Sequence, residues 1–559
     1  MRFRLVPSLP TLVAAMAVFA VHAEEPAAEP PAAAEAGAPG TPRQTGEPSL
    51  HGELRLSLAD AIRMGLENNL DVEIERHGPL IAEEDRSIAL GAYDPELFSE
   101  FGYGSIEDPT ANILIGSNQN LSYLTDGFGG LRGLLPLLGS RYEARFGSQR
   151  LATNSRIQSL TPELRSSFNL SLSQPILRDL IWNQEWTRVK SSVVSHALAG
   201  DGFRTEVMNT VRDIEAAYWQ LIEAQEQLRV AEKSLETSGA LLDQARTQLE
   251  VGVVSKVAVS EAEAGVAERE FNQILAVNRY RTAQDTLIDQ VLGPHLAARS
   301  TLEIQPSERP EDYTLFEIDV QQAVDMAFAH RPEISAAALE IERQEILLSF
   351  AKNQRLPSLD LSVSYGNRGL AGEQNQASRC FFSSDPTCPT NPSVNAIPPT
   401  DYGDTFDDYL TGRAAEQLSA RAILSVPIPN TAPRHSVSKS ELELRRAVTR
   451  RRQTQEKIVL EVRKATRDLR SAHEGIAASE RRRAATEEQL RAERIRLQYG
   501  ESTPFDVLQR ERDLVEAEVQ KIGALRAYRV SAVELDRAQG TILRNRNIQI
   551  EAVSSLQFK

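Results

Sequence analysis

Beyond its N-terminal stretch this chain of 559 residues has no apolar run that could cross a bilayer as a helix, which takes about 18 residues or more. It is poor in cysteine, with Cys380 and Cys388 alone, and poor in aromatics, at 6%. Several compact cores would need more of the latter, whereas 25% charged residues and an abundance of Ala, Glu, Arg, Gln and Leu suit extended helices. Positive charge is in deficit. The net charge of −16 argues against a nucleic-acid partner, which would want a basic face. The eight histidines are scattered and no HExxH, GxSxG or P-loop pattern occurs, so the sequence offers no catalytic residue, no metal site and no cofactor site. Proline is missing from 176 to 293 and again from 434 to 503, leaving both intervals free to form very long helices.

Those intervals carry heptads. Val207, Ile214, Leu221, Leu228, Leu235, Leu242 and Leu249 recur at seven-residue steps, the seam of a coiled coil. The register returns 248 positions later as Val462, Leu469, Ile476, Arg483, Leu490 and Leu497, with Arg483 a polar break in the seam. A helix from about 183 to 250 would be roughly 100 Å long at ~1.5 Å per residue, more than a globular domain needs. Length itself is the expected function.

Taken in order, Arg2 and Arg4, the apolar run Leu5 to Ala20 and Val21-His22-Ala23 predict a signal peptide over 1–23, hence export. Residues 24–49, rich in Ala, Pro and Glu, are expected to be disordered. A first structural repeat spans 50–300. It comprises a short helix capped by Ser57, a second helix stopped by Pro95, strands near 95–104 and 166–175, and a helical hairpin over about 180–292 turning at Gly252. In the second strand Phe168, Leu170 and Leu172 alternate with Ser167, Asn169 and Ser171. Between the two strands lies a Gly- and Ser-rich stretch of roughly 60 residues, read as a loop too long for a compact soluble hairpin. After a linker at 301–317 the pattern restarts over 318–545, with strands near 357–366 and 418–427 and a hairpin over about 433–543 turning at Gly500; a C-terminal tail, 546–559, closes the chain. Pro357 follows Pro95 by 262 positions, Pro427 follows Pro175 by 252 and Gly500 follows Gly252 by 248, so prolines, glycines and heptads agree on an internal duplication.

Four strands of about ten residues match the length that crosses hydrocarbon at a tilt. An open four-stranded sheet in lipid leaves edge N–H and C=O groups unpaired at several kcal/mol each, so it has to close by sharing with other copies. Two copies would supply eight strands and a side-chain-filled interior; three would supply twelve and leave a lumen.

The paired turns, Val251-Gly252-Val253-Val254-Ser255 and Tyr499-Gly500-Glu501-Ser502-Thr503-Pro504-Phe505-Asp506-Val507-Leu508, with the two helix-then-proline-strand motifs, resemble the TolC-like outer-membrane efflux channel family over about residues 50 to 545. The resemblance implies a mixed fold of α-helical coiled-coil hairpins and transmembrane β-strands. Three chains would form a twelve-stranded barrel in outer-membrane lipid and a helical tunnel through the periplasm. It further implies a passive conduit of a tripartite efflux or type I secretion system, meeting a periplasmic adaptor protein and an inner-membrane pump. By the same resemblance Gly252, Val253, Val254, Gly500, Glu501 and Ser502 form the periplasmic tip and adaptor contact. Asp506 falls at the family's pore constriction, and Gln509 stands where the family has a second acidic position. Leu497, Ser502 and Ala258 occupy positions of the family's polar closing links and cannot form them, so this tip is expected either to close by other contacts, the favoured reading, or to rest more loosely. Cys380 and Cys388, an exported pair in the second external loop, are expected to form a disulfide that pins that loop. A periplasmic coiled-coil adaptor or structural protein is the alternative, although an adaptor would carry one hairpin where this chain carries two. The cargo is not legible.

Overall fold

The computed structural model describes residues 51–550 except 110–118, 137, 156, 253, 298–300, 310, 312–318, 376–402, 404 and 406–414. The expected signal peptide, residues 24–49, Val253, Cys380 with Cys388, the later part of the expected linker and the tail beyond 550 lie outside the described residues.

Strand β1 (His51–Leu56) leads into α1 (Leu58–Asn68), whose first turn is closed by the Ser57 hydroxyl accepting from the Asp60 amide at 3.2 Å. Asn69 caps α2 (Leu70–Leu90) in the same way, 2.9 Å from the Asp71 amide. Four strands follow, β2 (Glu96–Pro109), β3 (Gln119–Leu134), β4 (Arg141–Thr153) and β5 (Leu160–Pro175). Next come α3 (Gln184–Glu250) and its return partner α4 (Lys256–Ala297), which bends at Gly293. The order then recurs as β6 (Thr301–Pro306), α5 (Val320–His330), α6 (Pro332–Gln354), β7 (Ser358–Gln374), β8 (Ala415–Ser425), α7 (Thr431–Gln498), α8 (Pro504–Ala538) and the short α9 (Ile542–Asn545). Gly293 holds φ +72°, and a Cβ there would come within 2.9 Å of the Asn68 carbonyl, so glycine serves both the bend and the close approach of α1.

The strand count departs from the sequence expectation. One sheet runs in the order β2-β3-β4-β5-β7-β8 with every neighbour antiparallel, six strands where four were expected. The stretch read as a loop between 105 and 165 holds β3, β4 and the outer part of β5. It contains Gly127, Gly129, Gly130 and Gly133, which individually weaken a strand and mimic a loop composition. Residues 301–306 also depart from the expected linker. They form β6, which pairs in parallel with β1.

Each strand has two unlike faces. One face carries Leu97, Phe101 and Tyr103 on β2, Tyr123 and Leu131 on β3, and Ala144 and Phe146 on β4; it continues through Phe168, Leu170 and Leu172 on β5, Leu361, Val363 and Tyr365 on β7 and Leu418 on β8. The other carries Glu96, Glu100, Arg132, Asp126, Arg145, Asn169, Ser364 and Arg421. Phe101 is 86% exposed and Leu418 75% exposed, although both sit on the apolar face. A greasy surface of this extent belongs against lipid, not water. Toward the end remote from the helices that face meets another part of the chain: Gly369 lies beside Thr405 and Ser166 there, and all three are buried.

The helices enclose the main core. Val207, Ile214 and Leu221 of the heptad seam are 3%, 0% and 0% exposed and pack with Tyr218, with Leu287 and Val291 of α4, and with Leu56 and Ile304 from the small parallel sheet. In the later copy Val462, Leu469 and Ile476 bury against Leu525 and Tyr528 of α8. The tail begins inside this core. Arg546 makes a bidentate pair with the fully buried Glu215, at 2.6 and 2.7 Å, and Ile548 and Ile550 pack on the core's edge. No described helix is long and apolar enough to cross a membrane.

The seam carries a direct test. Leu221→Ala is expected to lower the unfolding free energy of the purified protein by about 2–5 kcal/mol, the usual cost of emptying a buried leucine site. A loss under about 1 kcal/mol would show that the heptad positions are not the core.

Candidate functional site

The two helical hairpins end in turns of the same construction. Gly252 (φ +77°) and Gly500 (φ +76°) adopt the left-handed conformation that reverses a helix. The Gly500 amide donates to Leu497 at 3.1 Å, and the Glu501 amide to Arg496 at 2.9 Å. Thr503 then starts α8 with a capping box: its hydroxyl accepts from the Asp506 amide at 3.2 Å, while the Asp506 carboxylate accepts from the Thr503 amide at 3.2 Å and hydroxyl at 2.7 Å. These bonds from Thr503 hold the Asp506 carboxyl below its usual range, so it is ionised at neutral pH. Asp506 is exposed, and Gln509, one turn on, accepts from Arg512 at 3.3 Å.

Four apolar side chains stand out at these turns: Val251 at 70% exposed, Val257 at 65%, Tyr499 at 80% and Phe505 at 52%. Val254 is half-buried and Ser502 partly so, whereas Glu501 is open to solvent. The structure thus brings Gly252, Val254, Gly500, Glu501, Ser502, Asp506 and Gln509 to the turns or the first helical turns beyond them.

Behind the turns the hairpins are joined. Leu241 of α3 packs with Leu490, Val507 and Leu508, and the Leu508 methyls occupy the space a Cβ on Gly265 would need, one of them at 2.9 Å. Ion pairs reinforce this. Arg512 reaches Glu268 at 2.7 Å, tying α8 to α4, and Arg526 reaches Glu223 at 3.1 Å, tying α8 to α3. Within the later hairpin, Arg494 pairs with the buried Glu511 at 2.6 Å, and Glu480 holds Arg483 at 2.9 Å and Lys521 at 2.8 Å. Sequence reasoning missed the Arg512–Glu268 and Arg526–Glu223 links, because nothing local relates residues so far apart in the chain. The seam break at Arg483 is satisfied by Glu480 and, at 3.0 Å, by Glu487. At the opposite end of α3, Trp182 and Trp186 stack around the Lys190 ammonium, whose nitrogen lies 4.2 and 5.7 Å from the two rings, directly below the sheet.

Among the described residues no group of His, Cys, Asp and Glu is arranged to hold a metal ion.

The chain matches the model of the family described as "Outer membrane efflux protein" over residues 134–293 and 323–541. It belongs to that family, and its place is the outer membrane. Its fold is shared with solved outer-membrane channels. For CmeC of Campylobacter jejuni the TM-score is 0.62 at 14% identity, covering 87% of this chain and 86% of that one. The open state of MtrE of Neisseria gonorrhoeae gives 0.58 at 15%, covering 87% and 89%. The outer membrane protein VceC of Vibrio cholerae gives 0.60 at 16%, covering 86% and 96%. A comparison with curated proteins finds no match.

Glu480 allows a test by pH. Hydrogen bonds from Arg483 and then Lys521 lower its pKa to about 2, from 4.5 when unpaired. Its contribution to stability is therefore complete above about pH 4.5 and fades as the pH falls toward 2, and solvent screening keeps it modest. The gap in unfolding midpoint between the native chain and Glu480→Gln should narrow across that interval; a gap indifferent to pH would contradict the pairing.

Proposed function

We propose that this efflux-family protein is a passive trimeric conduit, open to the exterior through the sheet and reaching into the periplasm through the two hairpins. The observation that carries this reading is the combination, in one chain, of a two-faced sheet whose outer edges are unpaired among the described residues and helices of 67 and 68 residues leaving one end of it. An open sheet in hydrocarbon has to close on other copies, and three copies leave a lumen continuous with a helical tunnel. Energy then comes from an inner-membrane pump joined through a periplasmic adaptor. The exposed Val251, Val257, Tyr499 and Phe505 give that adaptor an apolar landing surface.

Asp506 would face the axis at the tip. Three carboxylates around a narrow opening favour cations and slow anions. In planar bilayers, Asp506→Ala is expected to raise the relative permeability to anions, and unchanged ion selectivity would remove Asp506 from the constriction. Part of its work is local, since the Thr503 capping box also needs it, so Asp506→Asn, which keeps a hydrogen-bonding oxygen, should show the same selectivity change with less fraying of α8.

The tip would be held shut by contacts that include Arg512–Glu268. An exposed pair contributes about 0.2–1 kcal/mol, enough to shift a closed-to-open ratio by up to about fivefold per chain. Arg512→Ala should raise open probability within that range, and charge reversal of both partners should restore it. A photo-crosslinker at Val254 or Glu501 should capture a periplasmic protein with a helical hairpin; capture of none from intact cells would count against adaptor docking.

A further inference from the structure

We infer that β3 and β4 are a full-height part of the membrane wall, so that each chain supplies six barrel strands and three copies close a barrel of eighteen. The inference rests on the reading above that the chain assembles as a trimer. Four observations carry it.

First, the pair is as tall as the rest of the sheet. β3 registers along β2 from Glu96↔Arg132 to Pro109↔Gln119, and β4 registers along β5 from Arg141↔Ser173 to Leu151↔Glu163. Second, it keeps the two faces of its neighbours. Tyr123, Leu131 and Phe146 share the apolar face with Leu97 and Leu170, while Asp126, Arg132, Glu143 and Arg145 share the polar one. Cross-strand links on that polar face join the pair to β2: Arg132 to Glu96 at 2.7 Å, and Arg145 to Glu100 at 3.9 Å. Charged residues on the apolar face, Glu107, Arg150 and Glu416, stand only toward the strand ends remote from the helices, where a rim would meet water. A loop has no reason to keep this alternation.

Third, its glycines have partners. Gly127 lies opposite Phe101, Gly130 opposite Phe98 and Gly147 opposite Phe128, and in each case a Cβ would press on the facing ring, at 3.3 Å for Gly127 and 3.1 Å for Gly130. Arg145 in turn stacks 4.0 Å from the Phe128 ring centre. Aromatic rings laid over cross-strand glycines are a recognised way of pinning register in curved sheets. Fourth, the turn between β3 and β4 is seated at the helical end. Gly139 (φ +65°) has no room for a Cβ beside the Asp179 carbonyl, Ser140 is 2% exposed and bonds to Gln174, and the Gln174 amide donates to Leu138 at 3.1 Å. Short turns on the periplasmic side and longer connections outside are the rule for such barrels.

Strand directions alternate across all six, so β2 of one chain and β8 of the next run antiparallel and closure leaves no edge. Barrel diameter grows roughly in proportion to strand number, so eighteen strands give about 1.5 times the diameter of twelve and about twice the cross-section. The outer-membrane part of this conduit is then no bottleneck for bulky cargo, and size selection falls to the helical tip.

The test uses the full-length protein in liposomes with Cys380→Ser and Cys388→Ser, carrying single nitroxide labels. Labels at Tyr123, Leu131 and Phe146 should collide more with molecular oxygen than with nickel ethylenediaminediacetate, and labels at Glu143 and Gln149 the reverse. Leu170 and Val363 on the flanking strands serve as lipid-facing references. If those two read as lipid while the β3–β4 sites read as aqueous on both faces, the inference falls and the membrane reading stands; if the references read as aqueous too, both fall. Images of the particle from above should show eighteen strands, and a count of twelve would overturn the inference.

Discussion

Every backbone amide and carbonyl in hydrocarbon needs a partner, and a sheet with two free edges has none for its outermost strands. That constraint shapes this molecule more than any single contact. Among the described residues β2 and β8 each pair with a neighbour on one side only, while the apolar face beside them is far too large to sit in water. On the reading proposed above, such a chain is a segment of wall, and its stability as a folded object would be inseparable from the number of copies that complete it.

The helical half answers a different requirement. Coiled-coil seams supply reach, and the buried Val207, Ile214 and Leu221 concentrate the packing where α3 meets the small β1–β6 sheet and the start of the tail. Toward the turns burial thins and charge takes over, in exposed pairs such as Arg246–Glu263 and Arg512–Glu268. Thin apolar packing with exposed ion pairs is the kind of construction that opens locally at small cost. Dense packing part-way along α3 and thinner packing toward the turns would suit the conduit proposed above, gated at its far end.

Much of this was legible in the sequence, because helices and turns are written locally. The heptads, the paired prolines and Gly252 and Gly500 located both hairpins, and Ser57 located the start of α1. The strands were legible only where side chains alternate cleanly, as at Phe168 to Leu172. β3 was not, since its glycines lower local strand propensity and are stabilised by rings on other strands: the signal was the match of Phe98, Phe101 and Phe128 to Gly130, Gly127 and Gly147, a relation between segments. The same limit hid β6, whose partner lies 250 positions away, and the links from Arg512 and Arg526. At the tip, Asp506 and Gln509 fall by sequence on the helix after the turn, whereas the capping box that occupies the Asp506 carboxylate shows only in the folded chain.

Native mass spectrometry of the mature protein, released from detergent, tests the central claim most directly. The account predicts a mass of three chains that persists while detergent covers the apolar face and is lost only with unfolding. A single chain that stays folded in detergent-free buffer would contradict it.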